Sequence, residues 1–194
     1  MPDTIARLAG LSPDSALEAL RARRPVTRDH GQASHDALLT PAEPAGISPA
    51  ERLAVAAFVA ALHRDAAAMA EYGGRLAAGA PALADAVREA AEANTAQGPY
   101  GRYPAGPLSV EDAHGPGFTL APNLAATIGP RLTAALAHAH MLVLHPRDAS
   151  ADAIAALRAA GWTLDDVVTL SQIVAFLAYQ LRAAHGLRVL AASA

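Results

Sequence analysis

Chemistry in this chain would have to start from histidine, because the sequence holds eight histidines and no cysteine. The missing thiol removes disulfides, thiolate nucleophiles and cysteine-bound zinc from consideration. His138 and His145 lie seven residues apart on one helix face, which at 1.5 Å per residue is about 10 Å along the axis. A shared metal ion needs helical ligands four apart, so these two cannot hold one alone, and His140 points elsewhere. A metal site would have to recruit His63 or His35 from another helix; the pattern implies neither a metal nor a cofactor.

Acid–base chemistry has a better-placed set. His63, Asp65, Glu71 and Tyr72 fall near the end of one helix, with His138 on a neighbour. Glu71 and Arg75, four apart in the favourable order, read as a surface ion pair. His63 follows the apolar run VAAFVAAL at the edge of the core. His63 reads first as a structural histidine; as the alternative, burial there would tune it as a general acid or base, with Tyr72 and His138 as helpers. Ser171, Gln172 and Gln180 interrupt an apolar helix and need hydrogen bonds from other helices or across a subunit contact. The sequence has no glycine-rich phosphate loop, nucleophile elbow or HExxH motif.

The elements that must position these groups are helices, about eight of them, with no convincing strand. The last, Trp162 to Leu190, is apolar over more than one stripe (Val167, Val168, Leu170, Ile173, Val174, Phe176, Leu177, Leu181), which predicts a central, buried helix capped by Thr163. Residues 1–24 predict one short helix, capped by Ser12 or Pro13 and stopped by Pro25. Thr27 then caps Arg28–Leu39, with Ala33, Ala37 and Leu38 facing inward. The link PAEPAGISP separates this 1–47 extension from a 48–194 helical domain. There Ser48, Pro49 and Glu51 form a capping box opening one helix through Tyr72 that ends near Gly73 and Gly74. Helices follow from Pro81 to Asn94, from Pro122 or Asn123 to Gly129, from Arg131 to Leu144, and from Ser150 to Ala160. Residues 95–121, rich in glycine and proline, predict a long loop: an ordered surface crossing, or an arm through which Tyr100, Tyr103 and Phe118 contact another subunit.

The formal net charge of −3 and the scattered placement of fifteen basic residues, all arginine, give no reason to expect nucleic acid. Apolar runs at Leu53–Leu62 and Val167–Leu181 fall short of the roughly 20 residues that span a bilayer, and no secretory signal opens the chain. The expectation is a soluble, cytoplasmic protein with no membrane partner.

SPAERLAVAAFVAALHRDAAAMAEYGGRL resembles the core helix of the carboxymuconolactone decarboxylase and alkylhydroperoxidase D superfamily. RDASADAIAALRAAGWTLDDVVTLSQIVAFLAYQLRAAHGLRVL resembles the C-terminal part of its peroxidase-related, CMD-domain proteins, through Leu157, Gly161, Asp165, Asp166, Gln180, Arg182, Gly186 and Leu187. The resemblance implies an all-α AhpD-like bundle, symmetric oligomers and thiol peroxidase activity. That activity uses Cys-x-x-Cys-x-x-x-His with a preceding glutamate. The matching positions here are Asp65, Ala68 and Tyr72, with Leu53 for the glutamate, and all four differ. What is expected is a cysteine-free homo-oligomeric structural or regulatory subunit, with a cysteine-bearing relative as a possible partner. The alternatives are a decarboxylase-like enzyme using histidine on a small organic acid or lactone, and a small-ligand binding protein.

Overall fold

The computed structural model describes residues 3–193, and its regular elements are helices; the described residues form no strand beyond an isolated bridge between Gly101 and Ala113. The helices are α1 Thr4–Ala9, α2 Ala16–Ala22, α3 Pro25–Leu39, α4 Pro49–Leu62, α5 Ala66–Ala68, a π-helical turn Met69–Gly73, α6 Gly74–Gly79, α7 Pro81–Asn94, α8 Pro122–Ile128, α9 Pro130–Leu144, α10 Ala151–Ala159 and α11 Leu164–Ala192. Several starts follow the sequence signals. The Ser48 hydroxyl and Glu51 carboxylate close a reciprocal capping box on α4, Thr163 and Asp166 do the same on α11, and Ser150 caps α10.

The middle of the molecule is α4, not α11. No residue from 51 to 62 is exposed. Small and branched apolar side chains on every side (Ala54, Val55, Ala56, Phe58, Val59, Ala60) let α7, α9, α11 and the Met69–Gly73 turn pack around it. Helix α11 is buried on one stripe only, through Val167, Leu170, Ile173, Val174, Leu177, Gln180, Leu181 and Ala184. Its outer face leaves Val168 57% and Tyr179 45% exposed. Over its 29 residues α11 is long and apolar enough to cross a membrane, and 44% of its most apolar window is buried inside the protein.

The N-terminal segment also departs from expectation. Asp3 caps an extra helix, α1, whose buried Ile5 and Leu8 pack on α11, and Ser15 rather than Ser12 caps α2. Pro25 opens α3 instead of stopping its predecessor, because proline at the first helical position gives up only an N–H that would be unsatisfied anyway. The inward face of α3 is Gly31, His35 and Leu39, while Ala33 and Ala37 are exposed. The following link is held by buried Arg52, which donates to Ile47 O at 3.1 Å, Leu38 O at 2.6 Å and Pro44 O at 2.8 Å.

Residues 95–121 are an ordered crossing. Asn94 donates to Thr119 O at 2.7 Å and accepts from Thr119 N at 2.8 Å, and Tyr100 N donates to Leu144 O at 2.6 Å. The aromatic side chains find cover within the chain. Phe118 lies edge-on to Phe58 at 6.1 Å, Tyr100 sits 5.1 Å from His145, and the Arg147 guanidinium lies 4.4 Å over Tyr103.

Candidate functional site

The single long helix expected from Ser48 to Tyr72 breaks at His63-Arg64-Asp65, and that break makes the site. Asp65 N donates to Ala60 O at 3.1 Å and Arg64 N to Ala61 O at 2.9 Å. This is a Schellman ending with His63 as the C-cap and Arg64 in the left-handed position usually given to glycine, at φ 56°. Asp65 immediately caps the next helix, accepting from Ala68 N at 3.0 Å. Its other oxygen pairs with Arg188 Nη2, and Arg188 Nη1 reaches Leu8 O at 2.8 Å. The carboxylate thus ties the corner to α11 and α1. An aspartate in a helical stretch favours a cap because its side chain competes for free backbone N–H groups.

Beyond the corner, the π-helical turn turns Tyr72 fully inward. Its hydroxyl donates to Gln180 Oε1, and its ring lies 6.5 Å from that of His35. Burial pushes the phenol above its ordinary range, with the Glu71 charge adding to the shift. Gln180 therefore finds its partner within the chain through its oxygen, while Gln180 Nε2 is buried with none. Ala68 is fully buried, Leu53 is half-buried, and Glu71 pairs with Arg75 at 3.7 Å.

Two cavities meet at the corner. One, of about 600 Å³, is bordered by His63, Arg64, Asp65, Arg182, His185 and Arg188. The other, of about 840 Å³, runs along the outer side of α11 between Leu62, Val143, Val174 and Ala178, with residues 96–99 at its rim. His63 lines both, and its Nε2 is buried without a hydrogen-bond partner. Burial holds its pKa below the ordinary value; Arg182 lowers it further and Asp65 opposes. His63 is therefore a neutral imidazole at neutral pH.

His138 reaches the larger cleft only through Ser171, with Nε2 3.0 Å from the Ser171 Oγ that lines it. The Ser171 hydroxyl also donates to Val167 O at 2.8 Å. With that proton committed, His138 must supply the N–H to Ser171, a polarity opposite to that of a general base activating a serine. Burial lowers the His138 pKa, and Nδ1 is buried without a partner. The structure thus joins His63 and, indirectly, His138 to one cleft, whereas Tyr72 borders neither cavity. His140 packs on His145 with ring centroids 5.6 Å apart, so these two, and not His138 with His145, are the neighbours. Among the described residues no three His, Asp or Glu side chains converge to hold a metal ion.

Arg64, Arg182 and His185 escaped the sequence reading as site residues. Arg182 was singled out among the residues of the resemblance and His185 only as a cation near a helix end, and Arg64 carried no signal, since a non-glycine residue is not the expected one at a left-handed position.

No family model matches the sequence, and no curated protein does either. Among solved structures the chain is similar to the alkylhydroperoxidase AhpD core of an uncharacterized peroxidase-related protein from Ralstonia eutropha JMP134. The match covers 95% of this chain and 88% of that one, with a TM-score of 0.58 and 20% sequence identity. This chain has the AhpD-like fold. On the AhpD-like bundle, Asp65 and Ala68 stand at the α4–α5 corner, on the first turn after the Arg64 break.

Proposed function

We propose that this chain works without thiol chemistry, as a cytoplasmic, oligomeric structural or regulatory subunit of the AhpD-like type. Its assembly is a homo-oligomer or a mixed one with a cysteine-bearing relative. The observation that carries the reading is how the three positions matched to the thiol motif are spent. Asp65 is committed to a helix cap and to Arg188, Ala68 has no functional group, and the Tyr72 hydroxyl is tied to Gln180 away from both cavities. The similar structure is described as peroxidase-related; a thiolate peroxidase reaction has no sulfur nucleophile in this sequence.

Association is supported by the outer face of α11. Leu164, Val168, Tyr179, Val189 and Leu190 are each 45–57% exposed there, spaced along the length of the helix. Light scattering is expected to show an oligomer that a Val168→Glu/Tyr179→Glu variant converts to a folded monomer. A wild-type chain that stays monomeric at high micromolar concentration overturns the reading. Native mass spectrometry of the complex from its own cells then separates the homo-oligomer from the mixed assembly.

A second reading, a non-thiol enzyme of the carboxymuconolactone decarboxylase type, draws on one observation: the partnerless Nε2 of neutral His63 at the wall of two cavities. Such an enzyme would turn over a small organic acid or lactone with a bell-shaped pH dependence that His63→Ala abolishes. Unchanged turnover in that variant removes His63 from the reaction.

A further inference from the structure

The corner between α4 and α5 carries more positive than negative charge. Three guanidinium groups, Arg64, Arg182 and Arg188, border the smaller cavity against a single carboxylate, Asp65, in a protein whose overall formal charge is −3. Asp65 is already paired with Arg188. Arg64 and Arg182 have no carboxylate partner among the described residues, and the Arg182 guanidinium makes only a 3.5 Å contact with Ala178 O of its own helix. These two arginines and His63 are also the three residues common to both cavities. The charge therefore sits on the border shared by the smaller cavity and the larger cleft. That cleft is walled by Leu62, Leu142, Val143, Val174, Ala175 and Ala178. Its volume of about 840 Å³ falls in the range of roughly 300–1,000 Å³ typical of small-molecule sites, which are mostly apolar with a few convergent polar groups. The left-handed conformation of Arg64, which closes the Schellman ending of α4, holds this residue at the corner.

We propose that Arg64 and Arg182, beside His63 on the border of the two cavities, bind the anionic head of an amphipathic small molecule, a carboxylate or phosphate, whose aliphatic body lies in the cleft along α11. A guanidinium pair suits either head through paired N–H donors, and the apolar wall rewards burial of the chain. Neither half alone accounts for the arrangement, since an inorganic anion leaves the cleft empty and a neutral hydrocarbon leaves the two cations on its border unpaired.

The test is calorimetric titration of the full chain, in its native assembly, with four probes: octanoate, octyl phosphate, octanol and acetate. Octanoate or octyl phosphate is expected to saturate one site per chain, and the tighter of the two identifies the head. Octanol and acetate should each bind at least tenfold more weakly than that probe. Arg182→Gln should weaken the anionic amphiphile about tenfold and leave octanol unchanged. Ala178→Phe, which fills the cleft without altering charge, should weaken it comparably. The proposal is overturned if octanol binds as well as octanoate, if acetate does, if Arg182→Gln leaves the affinity intact, or if no anionic amphiphile binds at millimolar concentration.

Discussion

Arg64 offers a substitution in which folding and binding should move in opposite directions. Its backbone sits at φ 56°, its side chain is exposed, and the turn it forms is closed by main-chain bonds from Arg64 N and Asp65 N that any residue supplies. Holding an L-residue in the left-handed well costs roughly 1–2 kcal/mol. The glycine that would relieve this returns about 0.5–1 kcal/mol through its freer unfolded chain. The balance favours Arg64→Gly by up to about 1.5 kcal/mol, which for a chain of this size is a rise in Tm of up to about 6 °C. The assay is thermal unfolding by circular dichroism, with Arg64→Gln as the control that removes the charge and keeps the strain. Gly should melt above wild type and Gln should not, while both lose affinity for the anionic amphiphile. A glycine variant that melts at or below the glutamine variant refutes the strain argument. One that melts higher but binds octanoate and octyl phosphate as well as wild type separates Arg64 from the site.

Other perturbations follow from the same contacts. Arg52→Met leaves the carbonyls of Leu38, Pro44 and Ile47 without their donor and should cost about 3–5 kcal/mol; a urea-unfolding loss below about 1 kcal/mol would show that the link does not depend on this residue. Tyr72→Phe strands Gln180 Oε1 in the core, for an expected loss of about 1–3 kcal/mol by the same assay, with no change in affinity at the cleft. Burial holds His35, His63, His138 and His140 below their ordinary value of 6.5. Below that value the unfolded chain takes up more protons than the folded one, so their contribution is complete above about pH 7 and drains away as pH falls through 6.5 toward the folded values. The urea midpoint should therefore drop between pH 7.5 and 5.5, and His138→Asn should flatten part of the drop; a constant midpoint contradicts the burial of neutral imidazoles.

Helix starts were the most legible feature of this sequence, because a cap is local chemistry. Ser48 with Glu51, Thr163 with Asp166, and Ser150 each act within four residues of themselves, and the structure uses all three. Which helix lies at the centre was not local. The last helix read as the central one, apolar over more than one stripe, and only the packing of α7, α9 and α11 around α4 decides that α4 is enclosed while α11 keeps apolar side chains exposed. The absence of cysteine was decisive from the sequence alone, since no folding can supply a missing thiol. The candidate site was only half visible. His63 stood out by type and position, but the break that places it at a cavity wall depends on a left-handed arginine and on Asp65 finding Arg188 across 123 residues of chain. A window of sequence contains neither partner of such a contact together. The side chains available were set by the sequence; which charges face one another unpaired, and across what space, was set by the tertiary structure.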